Sequence, residues 1–260
     1  MNNRTTRITG ILKQLQEKGS ASIEELAARF GVSHMTIRRD VGYLEREHQV
    51  RLFRGGAVFT GRRPQATGSF DEYRLDDEHN KNTSEKQKIG SFAATLIEPG
   101  DVVFVDAGTT TEYLVRALPR ESRITVVCYS TNVLCGLGTD HEHEVILLGG
   151  RLHPDSGVFE SPEAVQLLSR TRITKAFLSA NGIEANLGVT CSNPCEVSIK
   201  QEAMRSSLKR YLLVDSQKIG RVFSTFFAEA GDFEMVITGG PLSDEEKEPF
   251  QSRGIVVTEV

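Results

Sequence analysis

Seven short apolar segments alternate with helical segments between residues 84 and 260, and this alternation constrains the fold more than any other feature of the chain. Several segments are almost continuous aliphatic runs, as expected for strands buried on both faces. A parallel sheet covered by helices buries its strands in this way. We therefore predict an α/β domain with a largely parallel, Rossmann-like sheet. Its predicted strands are Val102–Val105, Ile124–Cys128, Val145–Leu148, Lys175–Ser179, Tyr211–Val214, Met235–Thr238 and Ile255–Glu259.

Small polar residues follow the carboxyl ends of these strands, where open parallel sheets bind their ligands. After the first strand, Asp106–Thr111 leads directly into a predicted helix. Gly108 allows the backbone a close approach, and the threonines place hydroxyl and amide groups at a helix N-terminus, which favours an anion such as phosphate. Similar loops follow four later strands, at Tyr129–Asn132, Gly149–Gly150, Ala180–Gly182 and Asp215–Gly220. This repetition predicts a polar pocket.

A carboxylate and an amine lie four residues apart near the start of the predicted helix Cys195–Leu208. Glu196 and Lys200 share one face of that helix. They are either an exposed ion pair, which contributes a few tenths of a kcal/mol, or part of the pocket. The sequence leaves both interpretations open.

The first sixty residues show a different pattern, with three short helices before a hairpin. The predicted helices are Thr6–Lys18, Ile23–Phe30 and, roughly, His34–Glu47. Ser22 and Glu25 form a capping box for the second helix, and Gly31 suits the positive φ at its end. Two short helices, a turn and a basic third helix are typical of a helix-turn-helix.

The third helix has the two faces that recognition of the DNA major groove requires. Its inward positions are Val32, Ile37, Val41 and Leu44, and Ser33 is a good N-cap. Two alternating runs follow, Val50–Arg54 and Ala57–Thr60, and a Gly55–Gly56 link between them predicts a hairpin, the wing of a winged helix-turn-helix. The predicted DNA-binding residues are Ser33, His34, Met35, Thr36, Arg38, Arg39, Arg51 and Arg54.

The distribution of charge agrees with this division of the chain. Residues 1 to 63 carry twelve Lys or Arg and six Asp or Glu, a net charge of +6, whereas the rest carries −10. A basic N-terminal part on an acidic body is typical of a polyanion-binding module joined to a domain that does not bind DNA.

The third helix also carries a family motif. Val-Ser-x-x-Thr-Ile-Arg-Arg-Asp is matched by Val32, Ser33, Thr36, Ile37, Arg38, Arg39 and Asp40. The chain here resembles the DeoR family of bacterial transcriptional regulators. It departs from the family pattern at Val41–Gly42, where glycine within a helix costs about 1 kcal/mol relative to alanine.

The second half resembles the C-terminal domain of the same family over nearly its full length. The matching motifs are Asp106–Thr111, Leu148–Gly150, Phe177, Asn181–Ile183, Gly188–Thr190, Glu196, Lys200 and Asp215–Gly220. The resemblance implies a fold similar to ribose-5-phosphate isomerase and a repressor of carbohydrate catabolism that a phosphorylated sugar releases from its operator.

Roles for individual residues follow from the same resemblance. It implies phosphate contacts from Gly108–Thr111, with Ser130, Thr131 and Asn181 nearby. Asp106, Glu196, Lys200 and Lys218 would bind sugar hydroxyls or the phosphate charge. The full set of predicted ligand-binding residues is Asp106, Gly108, Thr109, Thr110, Thr111, Ser130, Thr131, Asn132, Gly149, Gly150, Asn181, Glu196, Lys200 and Lys218.

We predict a winged helix-turn-helix domain in residues 1–60, a linker in 61–82 and an α/β effector domain in 83–260. The expected partners are double-stranded operator DNA, the sugar phosphate and further copies of the chain. Two alternatives remain: an isomerase-like enzyme with a DNA-binding domain attached, because Asp106, Glu196 and Lys200 also suit proton transfer, and a C-terminal domain that only oligomerises. We favour a regulator over an enzyme.

Other features exclude some classes of protein. The sequence has neither an apolar run of about 18 residues nor an apolar N-terminal leader, so we expect a cytoplasmic protein without a membrane partner. Four cysteines without CxxC spacing indicate reduced thiols. We expect no metal or cofactor: His141–His143 with His153 form a polar loop pattern, and Cys191 and Cys195 have no histidine close in sequence.

Overall fold

The computed structural model describes residues 3–46, 50–53, 55–59 and 81–260. In the N-terminal domain, three helices pack around one small core. They are α1 (Asn3–Lys18), α2 (Ile23–Phe30) and α3 (His34–Arg46). The core includes Ile11 and Leu15 of α1, Leu26 of α2, and Ile37 and Val41 of α3, each fully buried. The predicted helical periodicity is therefore confirmed.

The helix ends follow the predicted local chemistry. Ser22 Oγ accepts a hydrogen bond from the Glu25 amide at 3.0 Å, and the Glu25 carboxylate accepts one from the Ser22 amide at 2.8 Å. Gly31 ends α2 with φ of 62°, in the left-handed region. Ser33 Oγ accepts from the Thr36 amide at 3.3 Å at the start of α3. These contacts fix the turn between α2 and α3.

The wing hairpin, β2 and β3, belongs to a three-stranded antiparallel sheet in the order β1-β3-β2. Its strands are β1 (Ser20–Ser22), β2 (Val50–Phe53) and β3 (Gly56–Phe59). The hairpin was predicted, but the predicted position of its link was wrong by one residue. Phe53 pairs with Gly56, so the link is residues 54–55 and not Gly55–Gly56. Gly55 has φ of 92°. Gly56 is a strand residue, since it pairs with Phe53 and with Ser22 of the unpredicted strand β1. A Cβ at this position would lie 2.7 Å from the Ala21 carbonyl oxygen, which favours glycine.

The C-terminal domain contains one seven-stranded, fully parallel sheet. Its strands are β4 (Val102–Val105), β5 (Thr125–Cys128), β6 (Glu144–Leu147), β9 (Ile173–Ser179), β12 (Ser207–Leu213), β14 (Met235–Thr238) and β15 (Val257–Glu259). All seven predicted strands occur, within a few residues of the expected ends, and the predicted fold class is confirmed.

The strand order creates a switch point in the middle of the sheet. The order is β15-β14-β12-β9-β4-β5-β6, so the chain runs outward in one direction from β4 and in the other from β9. Loops leaving the carboxyl ends of these two neighbouring strands diverge, and a crevice opens between them. The fold therefore selects one place along the sheet edge for a ligand.

Helices cover both faces of the sheet. They are α4 (Thr83–Ala94), α5 (Thr109–Arg116), α6 (Thr131–Leu137), α7 (Pro162–Ser169), α8 (Val197–Ser206) and α9 (Asp244–Gln251). They occupy the helical segments that the sequence pattern predicts before and between the strands, and the sheet separates two apolar clusters. Among the described residues, no helix has the length and apolarity needed to cross a membrane.

Antiparallel strands that the sequence pattern did not reveal complete the domain. They are the hairpin of β7 (Arg151–His153) and β8 (Val158–Glu160), and a three-stranded sheet of β10 (Gly182–Glu184), β11 (Gly188–Cys191) and β13 (Thr225–Ala228). They are three or four residues long, too short for a clear alternation of apolar residues. The predicted linker 61–82 lies outside the described residues, apart from Lys81 and Asn82.

Candidate ligand site and nucleic-acid interface

A cavity lies at the switch point of the seven-stranded sheet. It encloses about 430 Å³ of empty space, part of it open to solvent, and is formed by the loops after β4, β9 and β12 together with the start of α8. Its lining residues are Ala107, Gly108, Thr109, Thr110, Ser179, Ala180, Asn181, Glu196, Lys200, Val214, Asp215 and Lys218. The structure thus brings together seven of the fourteen predicted ligand-binding residues.

Gly108 allows two of these loops to approach each other. A Cβ at this position would lie 2.6 Å from Ser179 Oγ and 3.0 Å from Ser179 Cβ. Helix α5 begins at the next residue, so its first amides lie beside the cavity, where the partial positive charge of the helix terminus favours an anion. Three of the four residues predicted to contact phosphate, Gly108, Thr109 and Thr110, therefore line the cavity, and anion binding there stays a prediction.

Asp106 lies beneath the cavity, fully buried, and does not line it. Its Oδ1 accepts a hydrogen bond from the Tyr129 hydroxyl at 2.6 Å. Its Oδ2 accepts from the amide and hydroxyl of Ser179, at 2.7 and 2.9 Å, and from Lys200 Nζ. Both oxygens are already engaged, so the geometry gives Asp106 a positioning role beneath the cavity.

Lys200 and Glu196 are not an exposed helix pair. Lys200 is 1% and Glu196 7% exposed, and Lys200 Nζ lies 3.3 Å from Glu196 Oε2 and 5.2 Å from the centre of the Phe227 ring. Asn193 Nδ2 donates to Glu196 Oε1 at 2.8 Å. The pair is buried at the cavity, so the exposed ion pair, one of the two interpretations that the sequence left open, is wrong, and a role in ligand binding stays a prediction.

The charge states of this pair follow from burial and from their neighbours. Burial alone would lower the pKa of Lys200, but the carboxylates of Asp106 and Glu196 outweigh it and raise that pKa above its usual value. Burial raises the pKa of Glu196; Lys200 opposes this, and the charge of Asp106 adds to it. Lys200 therefore stays protonated at neutral pH.

The remaining polar groups of the lining belong to the loops after β9 and β12. Asn181 Oδ1 accepts from the Ser192 amide at 2.9 Å, which fixes the side chain to the end of β11. Asp215 Oδ1 accepts from Asn82 Nδ2 at 2.9 Å and from the Gln217 amide at 3.2 Å. Asp215 is 2% exposed, and sequence reasoning had noted its strand-end position without including it among the binding residues.

Six further predicted residues lie away from the cavity lining: Thr111, Ser130, Thr131, Asn132, Gly149 and Gly150. The loops after β5 and β6 diverge to the far side of β4, whereas the crevice opens toward β9. Thr131, for example, directs its amide to the Gly157 carbonyl at 2.8 Å. Gly150 packs so closely on β8 that a Cβ there would lie 2.3 Å from the Glu160 carbonyl oxygen.

The loop after β5 nevertheless touches the cradle. Asn132 Nδ2 donates to the Gly108 carbonyl at 2.8 Å. Asn132 Oδ1 and Ser130 Oγ are buried and have no hydrogen-bond partner among the described residues. Buried polar atoms are normally satisfied, so this corner retains unused capacity for a hydrogen bond.

The predicted DNA-binding residues form an exposed face on the N-terminal domain. Ser33, His34, Met35, Arg38, Arg39 and Arg51 are exposed, Thr36 is half-buried, and Arg54 lies outside the described residues. Met35 is 65% exposed on the same face. The opposite face of α3 is buried, so the helix presents a mainly polar and basic side to solvent, together with Met35.

Asp40 anchors helix α3, a role that the sequence analysis did not predict. Its carboxylate is 1% exposed and lies 2.7 Å from Arg7 Nε and 3.3 Å from Arg4 Nε, both on α1. These two ion pairs therefore tie α3 to α1 in the N-terminal domain. The sequence signal for this role is a carboxylate that directly follows two arginines on a basic helix.

Comparisons with known proteins match both parts of the chain. Residues 7–63 match the DeoR-like helix-turn-helix domain, and residues 81–240 match the DeoR C terminal sensor domain. The deoxyribose operon repressor of Escherichia coli K12 is 32% identical over 252 residues, covering 97% of each chain. The lactose phosphotransferase system repressor of Staphylococcus epidermidis is 33% identical over 254 residues, covering 96% of this chain and 97% of the relative.

Solved structures resemble the chain less closely. Ribose 5-phosphate isomerase A from Methanocaldococcus jannaschii is 17% identical, with a TM-score of 0.38, over 51% of this chain and 52% of that one.

Proposed function

The chain belongs to the DeoR family of transcriptional regulators, and we propose that it represses a carbohydrate catabolism operon until a phosphorylated sugar, bound at the switch-point cavity, releases it from operator DNA. It acts as a DNA-binding regulator, not as an enzyme. We also propose that it acts in the cytoplasm, where a regulator of this kind would meet both its DNA and a metabolic sugar phosphate.

The observation that carries the effector proposal is the chemistry of the cavity lining. A helix N-terminus and Lys218 offer positive potential, while Glu196, Asp215 and Asn181 offer oxygens and an amide for hydroxyl groups. A sugar phosphate presents an anion at one end and hydroxyls along its length. This lining therefore suits a polyol phosphate better than an apolar ligand.

Within the cavity, Lys200 has a different task from Lys218. It is held by Asp106 and by the Ser179 carbonyl, at 3.2 Å, in addition to Glu196. It therefore fixes the loop after β9 and the start of α8 in one arrangement. Binding contacts from Glu196 depend on that arrangement.

Release would work by linkage between the cavity and the DNA. Helix-turn-helix proteins bind two half-sites as dimers, and we propose a homo-oligomer that holds two copies of α3 about 34 Å apart, one turn of DNA. A ligand that prefers one domain arrangement shifts operator affinity by its differential binding energy, typically about 1–3 kcal/mol. This corresponds to a fold change of about 5 to 150.

The effector is tested with the full-length protein on an operator selected from genomic fragments. We expect one member of a panel of sugar phosphates to lower the operator affinity, and the matching unphosphorylated sugar to have no effect. Lys218→Gln should weaken the response, whereas Lys209→Gln, at an exposed position outside the cavity lining, should not. A normal response in Lys218→Gln, or no response to any phosphorylated member, would contradict the proposal.

The DNA interface is tested by removing one arginine at a time. Arg38→Ala and Arg39→Ala should each lower operator affinity, and each lost phosphate contact should reduce the slope of log affinity against log salt by about 0.9. Arg172→Ala, exposed on the C-terminal domain, is the matched control. Unchanged binding in both α3 variants would show that this face does not contact DNA.

A further inference from the structure

We propose that His153, Glu160 and Cys195 form a binding site for a divalent transition metal ion, with zinc as the best match. The three donor atoms, an imidazole nitrogen, a carboxylate oxygen and a thiol sulfur, all lie within 4.8 Å of one another. His153 Nε2 lies 2.7 Å from Glu160 Oε2. The site is separate from the switch-point cavity, whose lining includes none of the three.

Two elements bring these residues together. His153 ends β7 and Glu160 ends β8. His153 pairs with Val158 and Glu160 with Arg151, at the two ends of a three-pair ladder, so both side chains lie on the same face of the hairpin. Cys195 lies in the single turn of 3₁₀-helix at Pro194–Glu196, which packs on β8. Since 35 residues separate the cysteine from the nearer ligand, spacing in the sequence could not reveal the cluster.

The donor set has the chemistry of a zinc site. Zinc binds imidazole nitrogen, thiolate sulfur and carboxylate oxygen at about 2.0–2.3 Å, and three protein ligands leave one position for water. At these bond lengths the ligand atoms of a tetrahedral ion lie about 3.3–3.7 Å apart. His153 and Glu160 would therefore separate slightly and exchange their hydrogen bond for bonds to the ion, while Cys195 would move closer. The three side chains are half-buried or exposed, which leaves a path for the ion.

The two neighbouring histidines His141 and His143 do not offer the same arrangement. His141 and His143 stack with ring centres 5.0 Å apart, and His143 Nδ1 lies 2.5 Å from the Ser122 carbonyl oxygen. One of the two rings is thus already engaged with the backbone. In the part of the chain that the structure describes, the cluster at Cys195 is the group in which three candidate metal ligands lie close enough together to hold one ion.

A metal ion here would act on the segment that carries a cavity residue. Cys195 directly precedes Glu196, so an ion held by all three ligands would fasten the β7–β8 hairpin to the start of the segment that lines the cavity. The metal would thereby restrain the position of Glu196.

The test uses the full-length, reduced protein and cobalt as a spectroscopic substitute for zinc. We expect one cobalt ion per chain and an absorption band from thiolate-to-cobalt charge transfer. Cys195→Ser should abolish the band, and both Cys195→Ser and His153→Gln should weaken zinc binding by more than about a hundredfold, beyond the loss of about 10–100-fold that outer-shell changes alone produce.

Cys135→Ser and His141→Gln are the matched controls and should retain the band, because neither side chain belongs to the cluster. Zinc should also slow the reaction of Cys195 with a thiol reagent while leaving the exposed Cys135 reactive. Absence of the band in the unmodified protein, or its persistence in Cys195→Ser, would overturn the proposal.

Discussion

Lys200 shows how burial decides what a residue does. From the sequence, Glu196 and Lys200 are four residues apart on a helix, and an exposed pair of that kind contributes little. In the folded protein Lys200 is 1% exposed and neutralises Asp106, which is fully buried. A single buried cation therefore balances the carboxylate beneath the candidate site.

Lys200→Met should destabilise the C-terminal domain strongly, by about 3–5 kcal/mol, because it leaves the buried charge of Asp106 without its partner. Chemical denaturation measures the loss in the free energy of unfolding. Combining it with Asp106→Asn should recover part of the loss, since the uncompensated charge is then gone. A change below about 1 kcal/mol in the single variant would show that the pair is not coupled as described.

Helix α3 is an element in which a local rule is broken without visible benefit. Gly42 lies in its second half, where glycine lowers helix stability, and Asp40 holds the helix to α1 through Arg4 and Arg7. A Cβ at position 42 would meet no atom within 4 Å. Packing therefore does not explain the glycine.

Gly42→Ala should raise the free energy of unfolding of the N-terminal domain by up to about 1 kcal/mol, because alanine restricts the unfolded backbone and has the higher helix propensity. Differential scanning calorimetry of the full chain would detect the shift. Gly56→Ala is the contrasting substitution, because its Cβ would lie 2.7 Å from the Ala21 carbonyl oxygen, and it should destabilise. Equal effects from the two would contradict this account.

At the scale of the whole molecule, the hairpin of β10 and β11 connects the cavity with the wing. It follows directly after Asn181, which lines the cavity, and its turn carries Leu187, which is 3% exposed. Leu187 packs against the wing so closely that a Cβ on Gly56 would lie 2.7 Å from its Cδ2. This contact joins the two domains, and we expect the effect of a bound ligand on DNA affinity to pass through it.

Leu187→Ala should therefore reduce the effect of the ligand on operator affinity while leaving the affinity for the ligand itself nearly unchanged. Titration of the effector by calorimetry, and of the operator with and without effector, separates the two quantities. Leu208→Ala, at a leucine that is 75% exposed, is the control and should leave both unchanged. Full coupling in Leu187→Ala would show that the domains communicate elsewhere.

The sequence by itself determined the helices and the seven parallel strands of this protein, because their signals are local. Apolar runs marked the seven strands, the Ser22–Glu25 capping box marked α2, and the basic residues on the outer face of α3 marked the predicted DNA interface. Only the tertiary structure decided which strand ends meet. The order of strands around β4 and β9 places Ser179 and Asp215 at the cavity and leaves Gly149 and Gly150 outside its lining. Asp106 is buried beneath the cavity. Strand order depends on long-range packing, and residues far apart in the chain, such as His153 and Cys195, become neighbours only when that packing is complete.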